Sequence, residues 1–246
     1  MASIYRKRDR ILGIPYDNVT AEEALARTEE FVRDERSHII VYLSLPVLMM
    51  ARRNKFIRIF LEESDLIIPS GKYISWAASV LNRPFREIIE PSLFAKMLLV
   101  QSVDLNKSVY FLGGKGNTID RAYYNLKKEI PRLFVIGRYR GNYQKIAHED
   151  VISAIGKASP DYFFVGLGSP YEQKWVNTNR EKINAGVIVL VENMFDLIAG
   201  NIMKFRRYRE SKLKHREIPH SGYYKRVWMV PVFFVLVCLE KLFWRR

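Results

Sequence analysis

The sequence predicts an α/β protein built on a mostly parallel sheet with helices on both faces. Strand-like and helix-like segments alternate from residue 38 to residue 191, the strands are continuously apolar, and four strand ends carry glycine. With 246 residues, 48% of them hydrophobic, the chain can bury a sizeable core, which excludes disorder. Its single cysteine, Cys238, excludes a disulfide-stapled scaffold and a zinc ribbon.

Each element has a local reason. The chain opens with an extended piece, residues 11–14, and then a helix announced by Thr20 with Glu23 three residues on. That spacing is a capping box, in which the Thr hydroxyl takes one orphan N–H and the Glu reaches back to another. Ala24, Thr28, Phe31 and Val32 share one face of this helix, which runs to about Asp34. His38 to Leu45 is β-branched and aromatic enough for a buried strand. There follow helix 47–63, strand 66–69, helices 72–81 and 92–101, strand 108–112 and helix 118–129. Strand 133–136, helix 148–157, strand 162–165, helix 170–183 and strand 187–191 complete the pattern. Residues 1–201 therefore read as one α/β domain and residues 202–246 as an appendage.

The net charge is +14, and residues 202–246, with 12 basic and 3 acidic side chains, hold +9 of it. The same stretch carries the one long apolar run, Val227 to Leu239, flanked by Lys225 and Arg226 before and by Lys241, Arg245 and Arg246 after. Its 13 residues make about 20 Å of helix, short of the ~20 residues a membrane span needs. The favoured expectation is a monotopic helix lying in an anionic leaflet, with Trp228 and Trp244 at headgroup level. A short span kinked at Pro231 and a helix packed on the domain's own core are the alternatives. Nucleic-acid binding is disfavoured, because the basic residues adjoin an apolar run instead of an aromatic-interleaved groove. The first 18 residues hold no signal-peptide core, so the domain is expected in the cytosol.

In parallel sheets ligands bind beyond the carboxyl ends of the strands. There the sequence places Gly113-Gly114-Lys115-Gly116-Asn117, then Gly137 with Gly141-Asn142-Tyr143, then Gly166-Leu167-Gly168-Ser169-Pro170, and Ser70-Gly71. Such loops let backbone N–H groups at helix N-termini approach phosphate, although any one of them could be an ordinary tight turn. Neither the P-loop nor the dinucleotide-binding fingerprint is matched. The histidines are scattered and no GxSxG occurs, so no metal site and no serine triad is expected.

Taken together, Gly13-Ile14-Pro15, residues 109–115, Ile136-Gly137 with Gly141-Asn142-Tyr143, residues 165–170 with Lys174-Trp175, and Phe195-Asp196-Leu197-Ile198-Ala199-Gly200 resemble the WecG/TagA/CpsF family of bacterial glycosyltransferases. The resemblance spans about 190 residues, from Gly13 to near Lys204. It implies inverting, metal-independent transfer from a UDP-sugar to a lipid-linked, polyprenyl-diphosphate acceptor in surface polysaccharide synthesis, at the cytoplasmic membrane leaflet and without a cofactor. The implied nucleotide-sugar pocket comprises Tyr42, Ser44, Gly113, Gly114, Lys115, Gly116, Asn117, Gly137, Gly141, Tyr143, Gly166, Gly168, Ser169, Gln173, Asn193 and Asp196. Arg206, Arg207, Lys225 and Arg226 would face membrane or diphosphate.

The polar positions depart from the family's pattern. Its catalytic aspartate falls on Ser70, its pocket threonine and asparagine on Tyr42 and Ser44, and its Gly-Ser/Thr-Asp turn on Glu90-Pro91-Ser92. Its Pro-Lys-Gln-Glu run falls on Pro170-Tyr171-Glu172-Gln173, and two glycines before Phe-Asp fall on Glu192-Asn193. An unassisted serine hydroxyl is too weak a base near neutral pH, so Glu90, Glu172 and Glu192 are the candidate replacements. The alternative is a catalytically inactive relative acting as a binding or scaffolding subunit of a glycosyltransferase complex; a homo-oligomer or a glycosyltransferase partner is the expectation for protein partners.

Overall fold

The computed structural model describes residues 8–34, 36–200 and 228–243. Arg206, Arg207, Lys225 and Arg226 lie outside the described residues. In chain order the elements are β1 (Asp9–Ile11), β2 (Ile14–Tyr16), α1 (Ala21–Arg33), β3 (His38–Leu43), α2 (Leu45–Arg53), α3 (Lys55–Glu63) and β4 (Leu66–Pro69). They continue with α4 (Lys72–Val80), α5 (Pro91–Asp104), β5 (Val109–Gly113), α6 (Thr118–Glu129), β6 (Val135–Tyr139) and a 3-10 turn at Lys145–Ala147. Last come α7 (His148–Ala158), β7 (Tyr162–Gly166), α8 (Tyr171–Ile183), β8 (Val187–Leu190), α9 (Met194–Ile198) and α10 (Met229–Phe243).

Six of the strands form one sheet in the order β4-β3-β8-β7-β5-β6, every pair parallel. Side chains alternate along each strand between two cores. Ile39, Val41, Leu112, Val165 and Leu190 join α2, α3, α4, α7, α8 and α10 on one face. Ile40, Tyr42, Phe111, Phe164 and Val189 join α1, α5, α6 and α9 on the other. This is the two-sided burial that continuously apolar strands require.

Local chemistry explains the boundaries. Thr20 and Glu23 close the expected capping box on α1. The single helix expected over 47–63 is two, because Asn54 leaves the helical backbone and its side chain caps Phe56 and Ile57. The extended piece at 11–14 is instead the turn of a hairpin, with Leu12 at φ 50° and Gly13 at φ 77°. Two left-handed residues in a row give the turn whose twist matches the flanking strands. Just beyond the hairpin, Asp17 covers the free edge of β4: its N–H donates to the Ile67 carbonyl at 2.9 Å and its Oδ2 accepts the Ile67 N–H at 2.8 Å.

The apolar segment of the appendage forms α10, which shares the domain's core. Phe233 and Val237 are fully buried, Phe234 packs on Trp76 and Tyr73, and Glu240 accepts the Leu12 N–H at 2.8 Å. Lys241 donates to the Val80 carbonyl. Pro231 falls in the first turn, where a missing N–H costs no helical bond, so no kink is needed. The opposite face stays apolar and exposed through Val232, Val235, Leu239, Leu242 and Phe243. Among the described residues no helix is long and apolar enough to cross a membrane.

Phe233→Ala is expected to lower unfolding stability by about 3–5 kcal/mol, the usual cost of emptying a buried aromatic site. Val235→Ala, on the exposed face, is expected to change it by less than about 0.5 kcal/mol. Denaturant titration of both variants checks the docking of α10.

Candidate active site

Neighbouring strands send the chain to opposite faces: β5 and β8 lead into α6 and α9, whereas β7 between them leads into α8. Their loops part at the carboxyl edge and open a crevice, the usual ligand position in such sheets. A cavity of about 370 Å³ lies there. Gly114, Lys115, Gly141 and Asn142 form one wall, residues 166–169 with Tyr171 the floor and rim, and Glu192, Asn193 and Asp196 the other wall, with Pro46 from the first turn of α2.

The glycine loops are stitched to one another. The Gly141 N–H donates to the Gly114 carbonyl at 2.8 Å, the Gly114 N–H to the Gly166 carbonyl at 3.3 Å, and the Gly116 N–H to Asn142 Oδ1 at 3.1 Å. Two backbone donors expected to face phosphate are thus already engaged, and the exposed Lys115 side chain is the cation this loop presents to the cavity. Gly114 has φ 68°, and a Cβ there would sit 2.9 Å from Thr118, so its glycine serves the turn as well as any ligand.

Several expected pocket residues stand elsewhere. Gly137 lies inside β6 with its Cα against the Tyr110 ring, where a Cβ would come within 2.3 Å. That glycine answers to packing. Gly113 is likewise buried at the end of β5, and neither Gly116 nor Asn117 lines the cavity. The Tyr143 hydroxyl accepts the Trp175 Nε1–H at 2.6 Å and lies 3.1 Å from His148 Nδ1, which anchors the 141–143 loop from behind. Gln173 is buried and donates to Ser169 Oγ, so it supports the floor from below. Tyr42 is buried with its hydroxyl on the Pro91 carbonyl at 3.1 Å. Pro46, Asn142, Leu167 and Tyr171 also line the cavity; the last three stand within the segments quoted from the sequence but outside the expected pocket set, and Pro46 stands outside both.

The four catalytic candidates separate clearly. Ser70 is buried at the end of β4, with its N–H on the Leu43 carbonyl at 3.1 Å, and does not line the cavity. Glu90 is the N-cap of α5: its Oε2 accepts the Leu93 N–H at 2.7 Å and the Ser92 hydroxyl at 2.6 Å, which fixes it away from the cavity. Glu172, in the first turn of α8, is 1% exposed; its Oε2 accepts the Gly168 N–H at 3.2 Å, and the carboxyl group faces the backbone of Leu167 and Glu192. Burial first, and the Glu192 carboxylate second, hold its pKa well above the usual carboxylate range. Glu192 alone of the four lines the cavity, with Ser44 Oγ 3.5 Å from its Oε1. In the same wall Asn193 Nδ2 is buried without a protein acceptor. Among the described residues no three His, Cys, Asp or Glu side chains gather into a metal cage.

The sequence pattern of the Glycosyl transferase WecG/TagA/CpsF family matches residues 9–246, nearly the whole chain. The chain belongs to that family. It is also similar to proteins named N-acetylglucosaminyldiphosphoundecaprenol N-acetyl-beta-D-mannosaminyltransferase from Staphylococcus aureus strains NCTC 8325 / PS 47 and MRSA252. Each is 23% identical over 193 residues, which cover 77% of this chain and 75% of the relative. The cavity of this chain thus lies where its glycine loops converge, while Ser70, on which the resemblance places the family's aspartate, does not line it.

The raised pKa of Glu172 has a signed consequence. The folded state holds this proton more tightly than the unfolded chain, so its contribution is greatest below the unfolded pKa near 4.5 and is lost as pH rises through the folded value. Glu172→Gln is expected to remove this decline, so the variant gains on the wild type in denaturant titrations as pH rises. Parallel titration curves for the two proteins from pH 4 to pH 9 would contradict the assignment.

Proposed function

We propose that this WecG/TagA/CpsF glycosyltransferase moves a sugar from a UDP-sugar to a lipid-linked saccharide, an undecaprenyl-diphosphate-bound N-acetylglucosamine, in bacterial surface-polymer synthesis. The observation that carries the reading is the crevice at the carboxyl edge of β5, β7 and β8, which combines glycine loops, Lys115 and the buried, unsatisfied amide of Asn193 in one cavity. Its volume suits a drug-sized ligand. The relatives' names supply the acceptor and suggest N-acetylmannosamine as the transferred sugar.

The chemistry follows from the parts. Lys115 and the N-terminal turn of α6 would hold the diphosphate and steady the negative charge it gains as the glycosidic bond breaks. Transfer then proceeds by inversion, the acceptor hydroxyl entering opposite the departing diphosphate, with no metal. The outward face of α10, bearing Val232, Val235, Leu242 and Phe243 and followed in sequence by Arg245 and Arg246, would lie in the cytoplasmic leaflet where a polyprenyl acceptor is found. One face of the helix thus docks on the catalytic domain while the other meets lipid, so the site is held close to its membrane-bound substrate.

Three outcomes test this reading. Lys115→Ala is expected to weaken UDP binding about tenfold by calorimetry, a loss near 1.4 kcal/mol. Transfer from UDP-N-acetylmannosamine to the lipid-linked acceptor is expected to persist in excess chelator. Val235→Asp combined with Leu242→Asp is expected to abolish cosedimentation with anionic vesicles while UDP affinity is kept. A wild-type chain that neither binds UDP nor transfers sugar would instead favour the scaffolding role suggested by Ser70.

A further inference from the structure

We propose that Glu192 is the general base of the transfer and that Glu172 is the positioning residue that holds it in the cavity. The inference rests on the glycosyltransferase reading above and adds the group that accepts the proton. The acceptor hydroxyl oxygen forms a bond to the anomeric carbon of the donor sugar. The bond from that carbon to the diphosphate oxygen breaks, its electron pair leaving with UDP, and the hydroxyl proton passes to the Glu192 carboxylate.

Three features of the structure assign these roles. Glu192 reaches the cavity wall, whereas Ser70, Glu90 and Glu172 do not. Its backbone is left-handed, φ 46°, a conformation that non-glycine residues rarely adopt and that persists where the surroundings enforce it. What surrounds it is visible: the buried Glu172 carboxyl group accepts the Gly168 N–H at 3.2 Å and faces the backbone of Glu192, so it sits between the loop after β7 and the loop after β8. Glu172 therefore fixes the backbone from which the Glu192 side chain enters the cavity. Burial first and the neighbouring Glu192 second raise the pKa of Glu172, in keeping with a supporting role for it. The Ser44 hydroxyl gives Glu192 a further contact from the end of β3.

The full-length protein is assayed for UDP affinity, kcat with UDP-N-acetylmannosamine and the lipid-linked acceptor, and melting temperature. Glu192→Gln is expected to lower kcat at least about 100-fold, the usual lower bound for losing a general base, while UDP affinity stays within threefold. Glu192→Gly is expected to lose transfer equally yet melt about 2–4 °C higher, because glycine removes the left-handed strain. Glu172→Gln is expected to lower kcat about tenfold with UDP affinity kept and a melting temperature no lower than that of the wild type. The fall of kcat toward acid pH is expected to persist in Glu172→Gln and to be absent from the residual activity of Glu192→Gln. Glu90→Gln serves as the control and is expected to keep kcat within threefold.

If Glu192→Gln keeps kcat within threefold, or if Asp196→Asn abolishes transfer at intact UDP affinity while Glu192→Gln does not, the base assignment is wrong and the glycosyltransferase reading stands. Transfer absent from the wild-type chain overturns that reading and the proposal together. A Glu172→Gln protein that melts lower and loses UDP affinity in proportion to kcat would make Glu172 merely structural.

Discussion

Everything at the candidate site depends on one topological constraint. In an all-parallel sheet each strand delivers its carboxyl end to the same edge, and the chain must then cross one face or the other to return. Here β7 turns to one face while its neighbours β5 and β8 turn to the opposite one, so their loops diverge and leave a crevice that no side chain of the core can fill. The glycine loops are spaced closely enough across that opening to hydrogen-bond to one another through Gly114, Gly141 and Gly166. That mutual bonding makes the cavity wall rigid before any ligand arrives, and a wall already in place costs little to order on binding.

The second half of the site shows how a carboxylate can be set into such a wall. A glycine would occupy the left-handed position after β8 without strain, but it could supply no charge. Glu192 does supply one, at the cost of an unfavourable backbone and of a buried neighbour, Glu172, that is difficult to ionise. Both costs fall on stability, and both are offset by the cores on either side of the sheet. The long aromatic contacts of Phe111, Phe164 and Phe195 beneath the same loops belong to that offset. Strain and a perturbed acid lie together at one cavity, in Glu192 and Glu172, and that coincidence is a physical mark of a working site.

Most of the fold was legible because its elements obey local rules. The capping box at Thr20, the apolar strands over 66–69 and 162–165 and the helix over 118–129 stand where pattern alone puts them. The failures have local causes too. Asn54 reads as one polar position on a helix face, and only its cap geometry reveals the break. The sixth strand was placed two residues early because Leu133 is apolar and buried, although the hydrogen-bonded ladder starts at Val135. At five residues, α9 is too short to show a period. At the site, glycine loops announced the crevice but not which glycines serve packing: Gly137 was indistinguishable from Gly141 until Tyr110 was seen against it. The three glutamates were equally plausible in sequence. Which one faces the cavity depends on how each local turn aims its carboxylate: Glu90 is held by the Leu93 N–H and Glu172 by the Gly168 N–H, and neither lines the cavity.

The most direct test of the account is a structure of the full chain with UDP bound. The account predicts the diphosphate beside Lys115 at the N-terminal turn of α6, within the crevice bounded by Gly166 to Ser169 and by Glu192 to Asp196. UDP lodged instead at the ends of β3 and β4, against Ser70, Tyr42 and Glu90, would contradict it, because the cavity would then not be the donor site and Glu192 would stand far from the reacting carbon.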